Sequence, residues 1–243
     1  MTVLSQEQRA TSLEAMTSQK FDVLVIGGGV TGAGIALDAA ARGLSTAVVD
    51  AQDWAAGTSS RSSRLVHGGL RYLYNLDFKL VAEALRERGR LLTTIAPHLV
   101  EAQPFLWPLK TPVIERAYSA VGVSMYDALA RIGSKGRKTV PIQRHLSKAG
   151  AMRRFPEIKR NALVGAIEFY DARVDDARLV ITLIRTAVKY GAAAASRVKV
   201  TEVLKDGRGR ACGVKAVDLE NGNEFTIEAD RIINATGVWT EQT

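Results

Sequence analysis

Three glycines, Gly27, Gly29 and Gly32, stand in the spacing G-x-G-x-x-G, and a carboxylate, Asp50, follows about twenty residues on. The chemistry this spacing serves is pyrophosphate binding. The first glycine permits a tight turn, the second lets backbone amides approach the phosphates, and the third brings a helix close to the preceding strand with its N-terminus aimed at negative charge. A carboxylate at Asp50 accepts hydrogen bonds from adenosine ribose hydroxyls and repels a 2′-phosphate, so FAD or NAD is favoured over NADP. The glycines do not choose between those two. Further along, Thr58 to Tyr72 reads TSSRSSRLVHGGLRY, a run of hydroxyls and basic groups suited to wrapping phosphates and a polar ring system. His67 in this run is the candidate catalytic residue, with three readings open to it: proton transfer, contact with a bound ring, or local hydrogen bonding beside two glycines. His98 and His145 have no partners at ligand spacing, so no metal site is expected.

The elements that must hold these groups are legible in the apolar pattern. Phe21 to Ile26 is a short β-branched run ending at the glycines, a small-residue helix is expected from about Thr31 to Arg42, and Ser45 to Asp50 reads as a second buried strand. Strand, helix and strand together make a βαβ unit and imply a parallel sheet. Residues 76–92 place Leu76, Leu80, Val81, Leu85, Leu91 and Leu92 on one helical face, and a proline-rich segment follows, so a domain boundary is placed near 90. Ile114 to Ile132 resumes helical spacing through Ala117, Val121, Met125, Leu129 and Ile132. From Asn161 the α/β pattern returns: a strand at Ala166–Tyr170, a helix capped by Asp175 or Asp176 and ended by Gly191, and a two-residue hairpin at Asn221-Gly222.

Composition narrows the class. With 243 residues, 47% of them hydrophobic and 24% charged, the chain has the makings of a sizeable core, and neither disorder nor a fibrous fold is expected. The lone cysteine, Cys212, excludes a disulfide-stapled secreted scaffold. No secretory signal or transmembrane segment is apparent, so a cytoplasmic location is expected. Charge is uneven: between Arg131 and Arg160 ten basic residues oppose Glu157 alone, and this stretch outweighs the net charge of +8. Such a cluster suits an anionic membrane surface or a phosphorylated ligand, or is simply solvated. Nucleic acid is disfavoured, since Phe155 is the stretch's only aromatic and no stacking residues are interleaved.

Four runs, VIGGGVTGAGIALDAAARG, GTSSRSSRLVHGGLRYL, YDARVDDARLV and INATGVW, together resemble the FAD-dependent, aerobic, quinone-linked glycerol-3-phosphate dehydrogenases and the related glycerophosphate oxidases. The resemblance extends from about Phe21 to Trp239 and corresponds to the N-terminal half of that family. It implies an α/β fold of the FAD/NAD(P)-binding, Rossmann-like, glutathione-reductase-like kind with a partial substrate cap. The expected division is an N-terminal extension at 1–20, a discontinuous FAD-binding domain at 21–90 and 161–243, and the cap at 91–160.

By the same resemblance, Gly27, Gly28, Gly29, Thr31 and Gly32, with Asp50 and Ala51, hold the ADP half of FAD. Thr58, Ser59, Ser60, Leu65, His67, Gly68, Gly69 and Leu70 line the pyrophosphate, ribityl chain and flavin ring, and Ala235, Thr236 and Gly237 form a second flavin-contacting strand end. Arg71 and Tyr72 face the substrate. Two positions depart from the family pattern, Arg64 where Lys is common and Val238 where Pro is common.

The implied reaction is oxidation of sn-glycerol 3-phosphate to dihydroxyacetone phosphate with electrons passed to quinone. Oxygen as acceptor, and a non-catalytic flavin-domain fragment that binds anions or a membrane, are the alternatives. A nicotinamide-dependent Rossmann dehydrogenase would share the glycine turn and Asp50 but leaves the HGGLRYL run unexplained. Family members are substantially longer, so the chain is expected to be a truncated form whose missing half carries further phosphate ligands and the proton acceptor. Peripheral attachment to the inner face of the membrane is an expectation of the basic stretch, and a dimer is left open.

Overall fold

The computed structural model describes residues 4–242 except 112, 134–138 and 162. Lys135, Arg137 and Lys138 of the basic stretch therefore lie outside the described residues, as does the side chain of Arg71. In chain order the elements are α1 (Gln6–Ser18), β1 (Phe21–Ile26), α2 (Val30–Ala41), β2 (Thr46–Asp50), β3 (Leu65–Val66), α3 (Phe78–Arg90), β4 (Val100–Leu109) and α4 (Ile114–Gly133). They continue with β5 (Arg144–Ser147), α5 (Lys148–Arg154), β6 (Gly165–Val174), α6 (Asp176–Lys189), β7 (Ala193–Ser196), β8 (Val198–Lys205), β9 (Ala211–Asp218) and β10 (Glu224–Asn234). Two compact units result, one formed by Met1–Ser63 with Asp176–Thr243, the other by Arg64–Asp175.

The first unit is built on a six-stranded sheet in the order β7-β2-β1-β10-β9-β8. β7, β2, β1 and β10 run parallel, and β10, β9 and β8 form an antiparallel meander. Both faces are buried, which is why β1 reads as a continuous apolar run rather than an alternating one. Leu24 and Ile26 point into one cluster with Met16 of α1, whereas Val23 and Val25 point into the other with Ala33, Ala36 and Ala40 of α2 and Val180, Ile184 and Ala187 of α6. The alanines of α2 keep its side chains short where it lies against strand and helix alike. Residues 1–20, expected as an extension, contain α1, which belongs to this unit: Ser5 caps it by accepting from the Gln8 amide, Met16 is fully buried, and Arg9 pairs with Asp218.

The second unit has a sheet in the order β3-β6-β4, with β5 also on β6. β4 contains Pro104 and Pro108 and still pairs with β6 over its full length, because it is an edge strand whose outer side needs no ladder donors. β3 pairs with Ala172 and Arg173 on the same strand, and Arg64–Asp175 makes up this second unit. α4 forms where expected, but its buried stripe is Ser119, Val123, Tyr126 and Ala130, while Val121 and Ile132 are exposed. The hairpin of β9 and β10 forms, but its loop is longer than two residues: Asp218 receives the Glu220 amide on its carboxylate, and only Gly222 takes positive φ.

Candidate functional site

The turn after β1 shows why two of its positions admit only glycine. Gly27 has φ +111°, and a Cβ there would lie 2.5 Å from the Ala235 carbonyl oxygen. A Cβ on Gly32 would lie 1.8 Å from the Gly27 carbonyl oxygen, so the helix can approach the turn only without a side chain. Gly29 differs. It has ordinary extended dihedrals as the N-cap of α2, and a Cβ would meet nothing nearer than the Ser59 hydroxyl at 3.4 Å. The protein has no steric reason for glycine here, so the space in front of it is left open for something else.

That space is a cavity of about 380 Å³ within the first unit. Gly27, Gly29, Thr31, Asp50, Ala51, Thr58, Ser59, Ala235, Thr236 and Gly237, all candidates from the sequence, line it. The first turn of α2 presents N–H groups that lack intrahelical acceptors and carries the positive end of the helix dipole. Ser59 accepts the Val30 amide at 2.9 Å, which fixes the hydroxyl beside the helix end and leaves its proton to be donated. Asp50 takes the Gly28 amide on one oxygen at 2.6 Å and the Gln52 amide on the other at 2.7 Å. Each oxygen keeps a lone pair, so the carboxylate both shapes the turn and can receive hydroxyls. Gly28 and Gly32 act through this packing rather than by lining the cavity, and Ser60 turns its hydroxyl to the Gly57 carbonyl.

Three lining or supporting features escaped the sequence reading. Trp54 packs against Gly28, where a Cβ would fall 2.3 Å from the indole ring, and Trp239 packs likewise on Gly57. Ser62 donates to Asp176 at the start of α6, and both residues line the cavity. A bulky aromatic just beyond the Asp50 strand, amid small residues, was the available signal for Trp54.

The remaining candidates belong to the second unit. Leu65 is half-buried on β3, His67 is exposed, Gly68 and Gly69 are buried, and Leu70 packs into the core beside Val81 and Leu109. Tyr72 lays its ring against Gly69 and donates its amide to the Gly69 carbonyl at 2.8 Å. Gly68 donates its amide to both the Tyr126 hydroxyl and Asp171, two residues the sequence reading did not single out. Among the described residues no three His, Cys, Asp or Glu side chains gather as a metal site, and no helix is long and apolar enough to cross a membrane.

A glycine turn at a helix N-terminus, an acidic residue closing the next parallel strand and an open cradle between them define a dinucleotide-binding α/β domain. The donor set suits FAD: amides and hydroxyls for the pyrophosphate, a carboxylate for the ribose. Residues 22–243 match the family described as "DAO: FAD dependent oxidoreductase", and the chain belongs to that family. It is 51% identical over 239 residues to glycerol-3-phosphate dehydrogenase of Mycobacterium leprae, covering 98% of this chain and 40% of that protein. It is 41% identical to alpha-glycerophosphate oxidase of Streptococcus pyogenes serotype M1, covering 98% of this chain and 39% of that one. Among solved structures, glycerol-3-phosphate dehydrogenase from Bacillus halodurans complexed with FAD superposes with a TM-score of 0.70 at 30% identity, over 98% of this chain and 38% of that one. The chain thus spans about two fifths of the length of the curated relatives it matches.

Proposed function

We propose that this chain binds FAD without a covalent link and forms the cofactor-binding part of an enzyme that oxidises sn-glycerol 3-phosphate to dihydroxyacetone phosphate, with a quinone as electron acceptor. The observation that carries the reading is the open cradle at Gly29, a position the protein leaves free of side chain without any packing need of its own. The substrate is taken from the relatives' names. FAD, when bound, supplies a two-electron acceptor for the hydride of the substrate's secondary carbon. This chain's residues do the holding: the amides at the α2 N-terminus and the hydroxyls of Thr31, Thr58 and Ser59 take the pyrophosphate, Asp50 and Ala51 the ribose side. Leu65, Gly68, Gly69, Leu70 and the segment Ala235–Gly237 face the flavin.

On this reading Arg71 and Tyr72 contribute to the substrate's anionic site, and His67 contacts the flavin, with proton transfer as its alternative role. FAD binding draws on residues 21–90 and 161–243, with 91–160 left to a partial substrate cap. Positioning is the main service of such a site, and one wall does not fix a substrate, so this chain alone does not turn over glycerol 3-phosphate. A single absorption spectrum of the chain loaded with FAD and freed of excess tests the binding: flavin bands are expected, and a colourless protein overturns the reading. Anaerobic mixing with glycerol 3-phosphate should then leave the bands unbleached on the time in which a full-length relative bleaches completely.

A second reading, oxygen as the acceptor, is favoured by the similarity to the streptococcal oxidase. Peroxide formation against quinone reduction separates the two. The exposed Arg131, Arg144, Lys148, Arg153, Arg154, Lys159 and Arg160 support attachment to an anionic leaflet, at ~1 kcal/mol per basic residue near the surface before screening. Binding to anionic vesicles should fall as salt rises, and equal binding to neutral vesicles would make the stretch an ordinary solvated face.

A further inference from the structure

The second unit buries a charged cluster that the proposed chemistry does not use. Arg88 of α3 is 1% exposed, and its Nη1 donates to Asp171 Oδ1 at 2.5 Å, to the Tyr170 carbonyl at 3.2 Å and to the Tyr126 hydroxyl at 3.3 Å. The guanidinium also lies over the Tyr126 ring, 5.4 Å from its centroid. Tyr126 of α4 donates its hydroxyl to the same Asp171 oxygen at 2.9 Å. That oxygen collects a third donor, the Gly68 amide at 3.0 Å, while the same amide reaches the Tyr126 oxygen at 2.8 Å. Burial, reinforced by the Asp171 charge, pushes the Tyr126 hydroxyl far above its ordinary range. It therefore stays protonated, donates to Asp171 and keeps a lone pair for Gly68.

Three observations set this cluster apart from ordinary core packing. Arg88 Nε is buried with no partner, a cost that a core selected for stability alone avoids by using apolar side chains. The cluster also fills an interval in a sheet. β5 pairs with Gly165 to Glu168 and β3 with Ala172 and Arg173, so Phe169, Tyr170 and Asp171 lie between them. Arg88 supplies the donor that the Tyr170 carbonyl receives. Finally, the contact with the turn is close. A Cβ on Gly68 would fall 2.1 Å from Leu85 Cδ2 and 2.4 Å from the Tyr126 oxygen.

We propose that Arg88, Asp171 and Tyr126 are positioning residues which, acting together through the Gly68 amide, hold the turn His67–Gly68–Gly69 in the one conformation that presents it to the flavin; this rests on the cofactor reading given above. The cluster draws one side chain from each of α3, α4 and β6, so it ties the turn to three separate elements of the second unit. His67, exposed and with no side-chain hydrogen bond to another described residue, inherits its place from the residue after it.

The test compares the chain with Tyr126→Phe, which keeps the ring and removes the oxygen, and with Arg88→Lys and Arg88→Met. Amide hydrogen exchange is read without FAD, and the visible flavin band is read after loading with FAD. In Tyr126→Phe, exchange at Gly68 should rise roughly fivefold relative to the amides of β6, the loss expected for one of two acceptors. The flavin band should shift while the bound FAD content stays the same. Arg88→Lys, which keeps a cation on Asp171, should disturb both readouts less than Arg88→Met. Unchanged Gly68 exchange in Tyr126→Phe overturns the proposal, and so does faster exchange with an unmoved flavin band, which would leave the cluster a structural anchor only. Failure of the unsubstituted chain to take up FAD would instead remove the cofactor reading, with the exchange measurement still deciding whether the cluster holds the turn.

Discussion

Each unit of this molecule ties a glycine amide to an aspartate, and the two do it in opposite ways. In the first unit Asp50 holds Gly28 across 22 residues of chain, at the rim of a cavity, with lone pairs left over. In the second, Asp171 holds Gly68 across 103 residues, buried against a cation and a hydroxyl that use up the same oxygen. The first carboxylate keeps acceptor capacity that faces open space, while one oxygen of the second is taken up by three donors from the protein. A group that must serve a ligand stays partly exposed and close in sequence to what it shapes, while a group that only positions can be sunk and reached from afar.

The largest expected effect comes from breaking the buried pair. Asp171→Asn leaves the Arg88 guanidinium without a counter-charge and should cost ~3–5 kcal/mol of stability in the second unit. Chemical denaturation followed by a probe in that unit measures it, and a loss as small as that of a surface pair would erase the contrast. Next come two glycine substitutions that separate packing from binding. Gly32→Ala meets backbone and should destabilise the first unit by ~1–3 kcal/mol. A Cβ on Gly29 meets nothing nearer than 3.4 Å, so Gly29→Val should cost less stability than Gly32→Ala, ~1 kcal/mol or less for a poorer N-cap, while FAD retention is lost. Normal flavin content in Gly29→Val would show that the cradle is not the cofactor site.

Asp50→Asn should be gentler on the fold, about 1 kcal/mol, since an amide oxygen can still accept from Gly28. Its FAD affinity should drop by roughly tenfold, the worth of one lost charge-assisted hydrogen bond. The smallest effect concerns the ion pair of Arg9 with Asp218. The Arg9 guanidinium, 2.6 Å away, holds the Asp218 carboxyl below the ordinary carboxylate range. A depressed native value means that this contribution is present above the unfolded value of ~3.9 and is lost as pH falls through the native one. Thermal stability should therefore decline on acidification below about pH 4, and Arg9→Gln should make that decline shallower. Identical acid profiles would remove the pair from the account.

What could be read in the sequence follows the same division. Gly27, Gly29, Gly32 and Asp50 are separated by a few residues or by one helix, and local spacing carries their meaning. β1 and β2 were legible because burial on both faces makes them almost uniformly apolar, whereas β7, the alanine run at Ala193–Ser196, carries no such signal. Arg88, Tyr126 and Asp171 have no common spacing, and only the folded chain brings them together. A trace existed: Arg88 falls on the same helical face as Val81 and Leu85, a charge within an apolar stripe. The stripe of α4 was read one step around the helix because its buried face uses Ser119 and Tyr126, neither of which stands out as apolar. At Asn221-Gly222 the turn signal was present, but the Asp218 side chain captures a neighbouring amide and lengthens the loop.

One consequence of the topology concerns synthesis. β1 is flanked by β2, which leaves the ribosome almost at once, and by β10, which pairs Phe21 with Ala229 and emerges about two hundred residues later. The second unit is continuous in sequence and has every strand it needs before β10 exists. A nascent chain thus carries a finished inserted unit beside a first sheet with a bare central edge, the kind of edge that recruits foreign strands. Chaperone occupancy during translation should concentrate on that interval and end when β10 arrives.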